Sequence, residues 1–141
     1  MQSISFRVLT AAFVIAHFVG NLWHGEAHSI LEIALPVYKT AFVLIAIILG
    51  PIVGSILTWT SYRLIGYWMV GVSMTSSVVF SVYHHFVMIS NDNVEHLPPG
   101  TAEAHAHFSN SAEAIALIAL AGALIAFYAA GKQYAVDQAN E

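Results

Sequence analysis

The sequence predicts an all-α integral membrane protein, a bundle of four transmembrane helices with both termini on the cytoplasmic side. Three observations lead there. Of 141 residues, 58% are hydrophobic and 9% charged, with a mean hydropathy of +0.73, far from the balance of a water-soluble globule. Four stretches, residues 8–25, 40–62, 64–91 and 114–131, contain no Asp, Glu, Lys or Arg. Each is about long enough to cross a ~30 Å hydrocarbon layer as a helix, the form in which a lone segment pairs all its own backbone groups. Finally, Arg7, Arg63 and Lys132 fall on one side of such a bundle and Lys39 alone on the other; basic residues near span ends favour the cytoplasm.

The chain reads as one domain. The first span, about residues 5–34, starts at Arg7. Its apolar run followed by Gly25-Glu26-Ala27 has the outline of a secretory signal, but it is expected to be retained, and its helix to continue outward through residues 27–35 until Pro36 ends it. Pro36 can open the second span, 36–62. There Gly50 and Gly54 form a small-xxx-small pair for helix packing, with Pro51 as a kink between them. The third span, 64–91, carries Ser73, Ser77 and Ser81 at fourfold spacing, which again permits close approach of a neighbour. The fourth, 111–131, is alanine-rich around Gly122, with Asn110 and Glu113 as its capping box. The tail from 133 to 141 is short and polar.

Several function classes are excluded. With four basic residues and a net charge of −4, the chain has no patch to neutralise a run of phosphates, so no nucleic acid is expected as a partner. The absence of cysteine removes disulfides, thiolate sites and iron–sulfur clusters. No P-loop, GxGxxG, GxSxG or HExxH pattern occurs. The expected partners are the lipid bilayer and, beyond it, further copies of the chain or a larger membrane complex.

What remains is histidine. Five of the eight histidines and three of the eight acids lie between Ser81 and Phe108. Under the expected topology His17, His24, His28, His84, His85, His96, His105 and His107 all occupy the outer half of the bundle or its outer loops, with Glu26, Asp92 and Glu95. Scattered structural histidines have no reason to segregate in this way. At about 100° per residue His24 and His28 lie within about 20° of His17, so the three line one helical stripe. His17 is expected about 10 Å inside the outer end of its span, a depth at which ionisable groups are costly and mark function; a hydrogen bond to a serine of the third span is the other reading. If the third helix continues past Ser90, His85, Asp92 and His96 repeat the same spacing, as do His84, Asn91 and Glu95; the alternative is a turn at Asn91-Asp92-Asn93. Of the adjacent pair, His84 is expected to face the bundle, because Ser77 lies seven residues earlier on the same stripe. His105 and His107 would point the same way in an extended loop.

His24–His28 and the His84-His85 pair resemble in spacing the histidine boxes of membrane hydroxylases and desaturases. The repeated HxxHH boxes of that family are missing and its boxes face the cytoplasm, so no roles carry over. The expectation is a metal site at the extracytoplasmic end, built from these histidines with Glu26, Asp92 or Glu95 as oxygen ligands or as acceptors that orient the imidazoles. Copper is expected first, from the rise of affinity along the divalent series, then zinc or iron. The alternatives are a b-type haem held by His17 with His84 or His85, and a packing subunit whose histidines are incidental.

The charge distribution yields a first test. A reporter fused after Glu141 is expected to remain cytosolic; translocation of the reporter would reverse the placement of the histidine-bearing end.

Overall fold

In the computed structural model, which describes residues 2–139, the chain is helical throughout and no strand occurs among the described residues. Four helices are long and apolar enough to cross a membrane: α1 (Gln2–Ile30), α2 (Val37–Leu57), α3 (Arg63–Val87) and α4 (Ala102–Gln138). They alternate in direction, so the short turn between α2 and α3 shares one end of the bundle with the chain termini. The two other connections share the opposite end with the histidines.

The bundle is apolar outward and small or polar inward. Ile15, Ile45, Leu117 and Leu124 are each more than 60% exposed, whereas Ala119, Ala126, Ser77 and Ser111 are at most 1% exposed. Among lipid-facing helices packing comes from close backbone approach and interhelical hydrogen bonds rather than from burying large side chains. α4 lies along both α1 and α3. Between them Val14, Val70, Met74, Ala119, Ala123 and Ala126 form a dry mid-bundle core.

The helix ends depart from the sequence expectation in ways that matter for the site. α1 stops at Ile30 instead of continuing to residue 35. Glu32 adopts a left-handed conformation (φ 53°). The Ile33 N–H bonds the His28 carbonyl at 2.9 Å and the Glu32 N–H bonds the Ser29 carbonyl at 3.3 Å, the paired bonds of a Schellman turn. Glutamate occupies the position where glycine is favoured, a signal invisible to composition. Pro36 does precede the first residue of α2. α2 ends at Leu57 and α3 at Val87, both short of the expected residues 62 and 91. α4 begins at Ala102 rather than 111, capped by the Thr101 hydroxyl accepting from the Ala104 N–H at 3.1 Å, not by Asn110.

Two helices contain wide π turns, Val43–Leu49 in α2 and Tyr83–Val87 in α3. The first directly precedes Pro51, the residue expected to kink the helix. Proline cannot donate to residue i−4 and its ring crowds that carbonyl, and the wider turn before it, with the Gly50 N–H bonded to the Ile45 carbonyl, absorbs the conflict. The second ends with the Met88 N–H bonded to the Tyr83 carbonyl at 2.8 Å. Such π turns are frequent at functional sites.

At the end that holds the chain termini α2 and α3 cross almost backbone to backbone. A Cβ added to Gly66 would lie 2.6 Å from the Gly54 carbonyl oxygen and 2.6 Å from the Thr58 nitrogen, so the small-xxx-small reading of Gly54 holds, with Gly66 as the partner that the sequence did not single out. Around Gly131 nothing lies within 4 Å. Gly66→Ala is therefore expected to destabilise the bundle by about 1–3 kcal/mol through overpacking. Gly131→Ala should stabilise it by about 0.5–1 kcal/mol through helix propensity. Thermal unfolding in detergent reads both, and equal tolerance of the two substitutions would refute the close crossing.

Candidate metal centre

Three imidazoles meet at the end of the bundle opposite the chain termini. His24 and His28 stand one turn apart on α1, and His85 faces them from the π turn of α3. His24 Nε2 is 3.1 Å from His85 Nε2 and 3.1 Å from His28 Nε2. The three residues can hold a metal ion, each offering one nitrogen within 4.8 Å of the others. His24 and His85 are buried, at 8% and 4% exposure. Phe108 of α4, fully buried, packs on all three rings with centroids 4.7, 5.1 and 5.4 Å away.

The outward-facing nitrogens fix the protons. His28 Nδ1 lies 3.2 Å from the Ile33 carbonyl and His85 Nδ1 2.8 Å from the Asp92 carbonyl. A carbonyl oxygen only accepts, so both Nδ1 atoms carry hydrogen. His24 Nδ1 lies 2.8 Å from the Ser111 hydroxyl, which itself donates to the Phe108 carbonyl at 2.9 Å. With its one proton committed there, Ser111 accepts from His24 Nδ1–H. All three Nε2 atoms therefore turn bare lone pairs toward one another. That arrangement is repulsive unless a cation lies among them, and one proton shared between two nitrogens leaves the third bare. Imidazoles that donate one ring nitrogen to a fixed oxygen while the other points inward are in the state that metal binding requires.

A carboxylate lies beside the three rings. Asp92 is 5% exposed, and both its carboxylate oxygens are buried with no hydrogen-bond partner among the described residues. Oδ1 stands 3.2 Å from His28 Nε2 and 3.3 Å from His85 Nδ1, outside hydrogen-bond geometry with either; the His85 Nδ1–H attracts it, whereas the bare His28 Nε2 lone pair does not. A buried carboxylate without a partner is costly, and this one stands at the edge of the cluster, beside His28 and His85.

Asp92 is delivered by the outer loop rather than by a continued α3. Asn93, also buried, organises the turn: its Oδ1 accepts from the Glu95 N–H at 2.9 Å and its Nδ2 donates to the Met88 carbonyl at 3.0 Å. The Val94 N–H then returns to the His85 carbonyl at 2.9 Å. The turn at residues 91–93 thus replaces the helical repeat through Asp92 and His96. Above the imidazoles Ala27, Leu31, Ala104 and Phe108, with Ile33, Val94 and Leu97, form a second apolar cluster that screens the site from the outer side.

The other expected ligands fall elsewhere. His17 sits on the same stripe of α1 but deeper, its Nε2 2.9 Å from the Ser77 hydroxyl and 3.3 Å from Asn21 Nδ2, so the serine-bonded reading describes it. His84 does not face the bundle: its Nδ1 accepts from Lys39 Nζ at 3.2 Å. The π turn takes one extra residue into the helix, which brings His85, eight residues after Ser77, onto the stripe that a regular helix gives to position 84. His96 Nδ1 meets Asn93 Oδ1 at 3.3 Å, and His105 Nε2 donates to the Pro98 carbonyl at 2.9 Å. His105 and His107 lie on α4, not in an extended loop; His107 Nε2 stands 4.0 Å from the exposed Glu26 carboxylate, and its ring lies against Trp23. Glu95 is exposed. Sequence reasoning misses Ser111 and Phe108, because the polar stretch before residue 111 reads as loop when the helix is started there.

No protein family, no curated protein and no solved structure matches this chain. The geometry therefore stands alone. If the Ser111 hydroxyl sets the proton position of His24, Ser111→Ala is expected to weaken metal binding about 10–100-fold, the usual effect of removing an acceptor behind a ligating histidine. Competition titration against a chelator measures it; unchanged affinity would show that Ser111 does not orient the ligand.

Proposed function

We propose that this protein is an integral membrane metalloprotein holding one divalent ion between His24, His28 and His85, with Asp92 as fourth donor. The observation that carries the reading is the convergence of three unprotonated Nε2 atoms beside a buried carboxylate that has no hydrogen-bond partner among the described residues. An ion satisfies both at once.

The donors are three borderline nitrogens and one hard oxygen, with no sulfur among them, a set suited to zinc, copper(II) or iron. A tetrahedral ion with metal–nitrogen bonds of about 2.0–2.1 Å sets its nitrogens roughly 3.3–3.4 Å apart, near the 3.1 Å separations of His24 from His28 and His85. Because geometry rather than raw affinity governs selection in the cell, zinc ranks ahead of the copper expected from the affinity series. Haem fits less well. His24 and His85 touch, Phe108 covers both rings, and the neighbouring cavity of about 220 Å³ falls below the 300–1,000 Å³ typical of cofactor pockets.

Sidedness follows from the basic residues: the centre would lie at the extracytoplasmic end, where it meets metal from outside the cell. A site with one face turned to a cavity also suits chemistry or transfer better than it suits permanent structural zinc, which is closed on all sides.

Elemental analysis of the purified protein is expected to give one equivalent of zinc and no Soret absorption. His24→Ala, His28→Ala and His85→Ala should each lose the ion, Asp92→Asn should weaken it, and His84→Ala and His105→Ala should retain it. Full retention in the first three variants while folded would refute the site; a Soret band lost in His17→Ala would favour the haem reading.

A further inference from the structure

The metal centre forms one wall of an apolar cavity. His24, His28, His85 and Asp92 line it together with Ile33, Leu35, Val43, Ile47, Phe80 and Ile115, and its volume is about 220 Å³. Asn21, Ser77 and Ser81 add the remaining polar edge. The cavity owes its existence to the splay of two helices. α1 makes its close approach to α2 only along Gly50–Leu57. In the outer half the gap between them is crossed by the linker at residues 31–36, whose Ile33 and Leu35 are half-buried cavity walls. A bundle that buries alanine elsewhere down to 0% exposure leaves this space beside its charged groups.

We infer that the cavity receives the hydrocarbon chain of a membrane amphiphile whose carbonyl or carboxyl oxygen binds the metal ion, an inference that rests on the metal reading above. Three facts select this occupant. The space exceeds the 150 Å³ of an apolar cavity that holds benzene, yet it is smaller than a drug-sized pocket, so it admits a single chain segment and not a two-tailed lipid. Its walls outside the ligand end are mostly carbon, Asn21, Ser77 and Ser81 excepted, which matches a molecule that is apolar along its length and polar at one tip. The helix that supplies Val43 and Ile47 to its wall carries Val37, Leu44 and Ile45 on its surface, all more than 50% exposed, so the cavity lies at a level where the surroundings of a membrane-spanning helix are lipid. A water-soluble ligand gains nothing from such an approach, whereas an amphiphile already in the leaflet arrives with its chain desolvated. An oxygen donor also suits the position: a zinc, copper or iron ion held by three imidazoles and the Asp92 carboxylate would expand to five-coordinate to take it.

The test uses the full chain in lipid nanodiscs, loaded with zinc, and two probes with the same metal-binding head: decanohydroxamic acid, which has a chain, and acetohydroxamic acid, which has almost none. Val43→Trp fills the cavity from α2 without touching a ligand, and Leu35→Trp does so from the linker, in case one of them fails to fold. Each variant is expected to keep its zinc equivalent and its affinity for acetohydroxamic acid while losing about tenfold or more in affinity for decanohydroxamic acid, the scale of an overpacking penalty. Undiminished decanohydroxamic acid binding in folded, zinc-loaded variants of both kinds overturns the inference and leaves the metal centre standing. Equal binding of decanohydroxamic acid to zinc-free protein overturns the contact between head group and ion. Failure of the unaltered protein to take up zinc, copper or iron overturns the metal reading, and the inference falls with it.

Discussion

A ring nitrogen that faces a carbonyl must carry the proton, and at the histidine-bearing end of this bundle that rule operates on three imidazoles at once. The Ile33 and Asp92 carbonyls and the proton-committed Ser111 hydroxyl each hold an Nδ1–H, which leaves three lone pairs to share one small space. Much of the local architecture serves to place those acceptors. The Schellman turn after α1 brings Ile33 back over His28. The Asn93-centred turn sets the Asp92 carbonyl against His85, and the early start of α4 brings Ser111 up to His24. None of these acceptors comes from the helix that bears its histidine, so each imidazole is held in its tautomer by a different piece of the chain.

The two ends of the bundle are built on different principles. Toward the termini, helices touch at glycine, with Gly54 and Gly66 permitting main-chain contact, and Phe6 and Leu64 pack around Tyr67, Ala129 and Ala130. Toward the histidines, side chains replace backbone as the contact surface, helices α1 and α2 part, and a loop with its own apolar cluster covers the opening. Rigid packing at one end and a spaced, largely apolar chamber beside the imidazoles at the other is a common division between stability and chemistry, since a fully interdigitated interior has no room for a second molecule.

The number and approximate position of the helices were legible in the sequence because four apolar runs of spanning length without Asp, Glu, Lys or Arg leave too little polar surface to cover a water-soluble fold. The segregation of histidine was legible because it is a property of topology, which survives errors of a few residues. What could not be read were features decided by one residue of register. The choice between His84 and His85 depends on a π turn that no residue pattern announces, and a regular helical wheel gives the wrong member of the pair. Glu32 in a left-handed conformation hides the end of α1, where a glycine would have marked it. The polar run from Thr101 to Ser111 reads as loop by composition yet forms three turns of helix, because the Thr101 cap and the apolar contacts of Ala104 and Phe108 outweigh its polarity. Asp92 is a legible candidate with an illegible geometry: the sequence makes it a helical neighbour of His85, whereas the chain presents it at the tip of a returning turn.

The distances along the chain between the parts of the site have a consequence for biogenesis. His24 meets His85 across 61 residues and Ser111 across 87, so the earliest span to leave the ribosome carries ligands whose partners are made last. Helices α1 to α3 can insert and cross at Gly54 and Gly66 before any of α4 exists. The His24 ring acquires its fixed orientation only when Ser111 docks, the step at which Phe108 also packs on all three rings. The facing trio of nitrogens is thereby tied to completion of the fourth helix: a chain truncated before it would keep the acceptors of His28 and His85 but lack the one that sets the proton of His24, so the assembled cluster is a property of the finished protein alone.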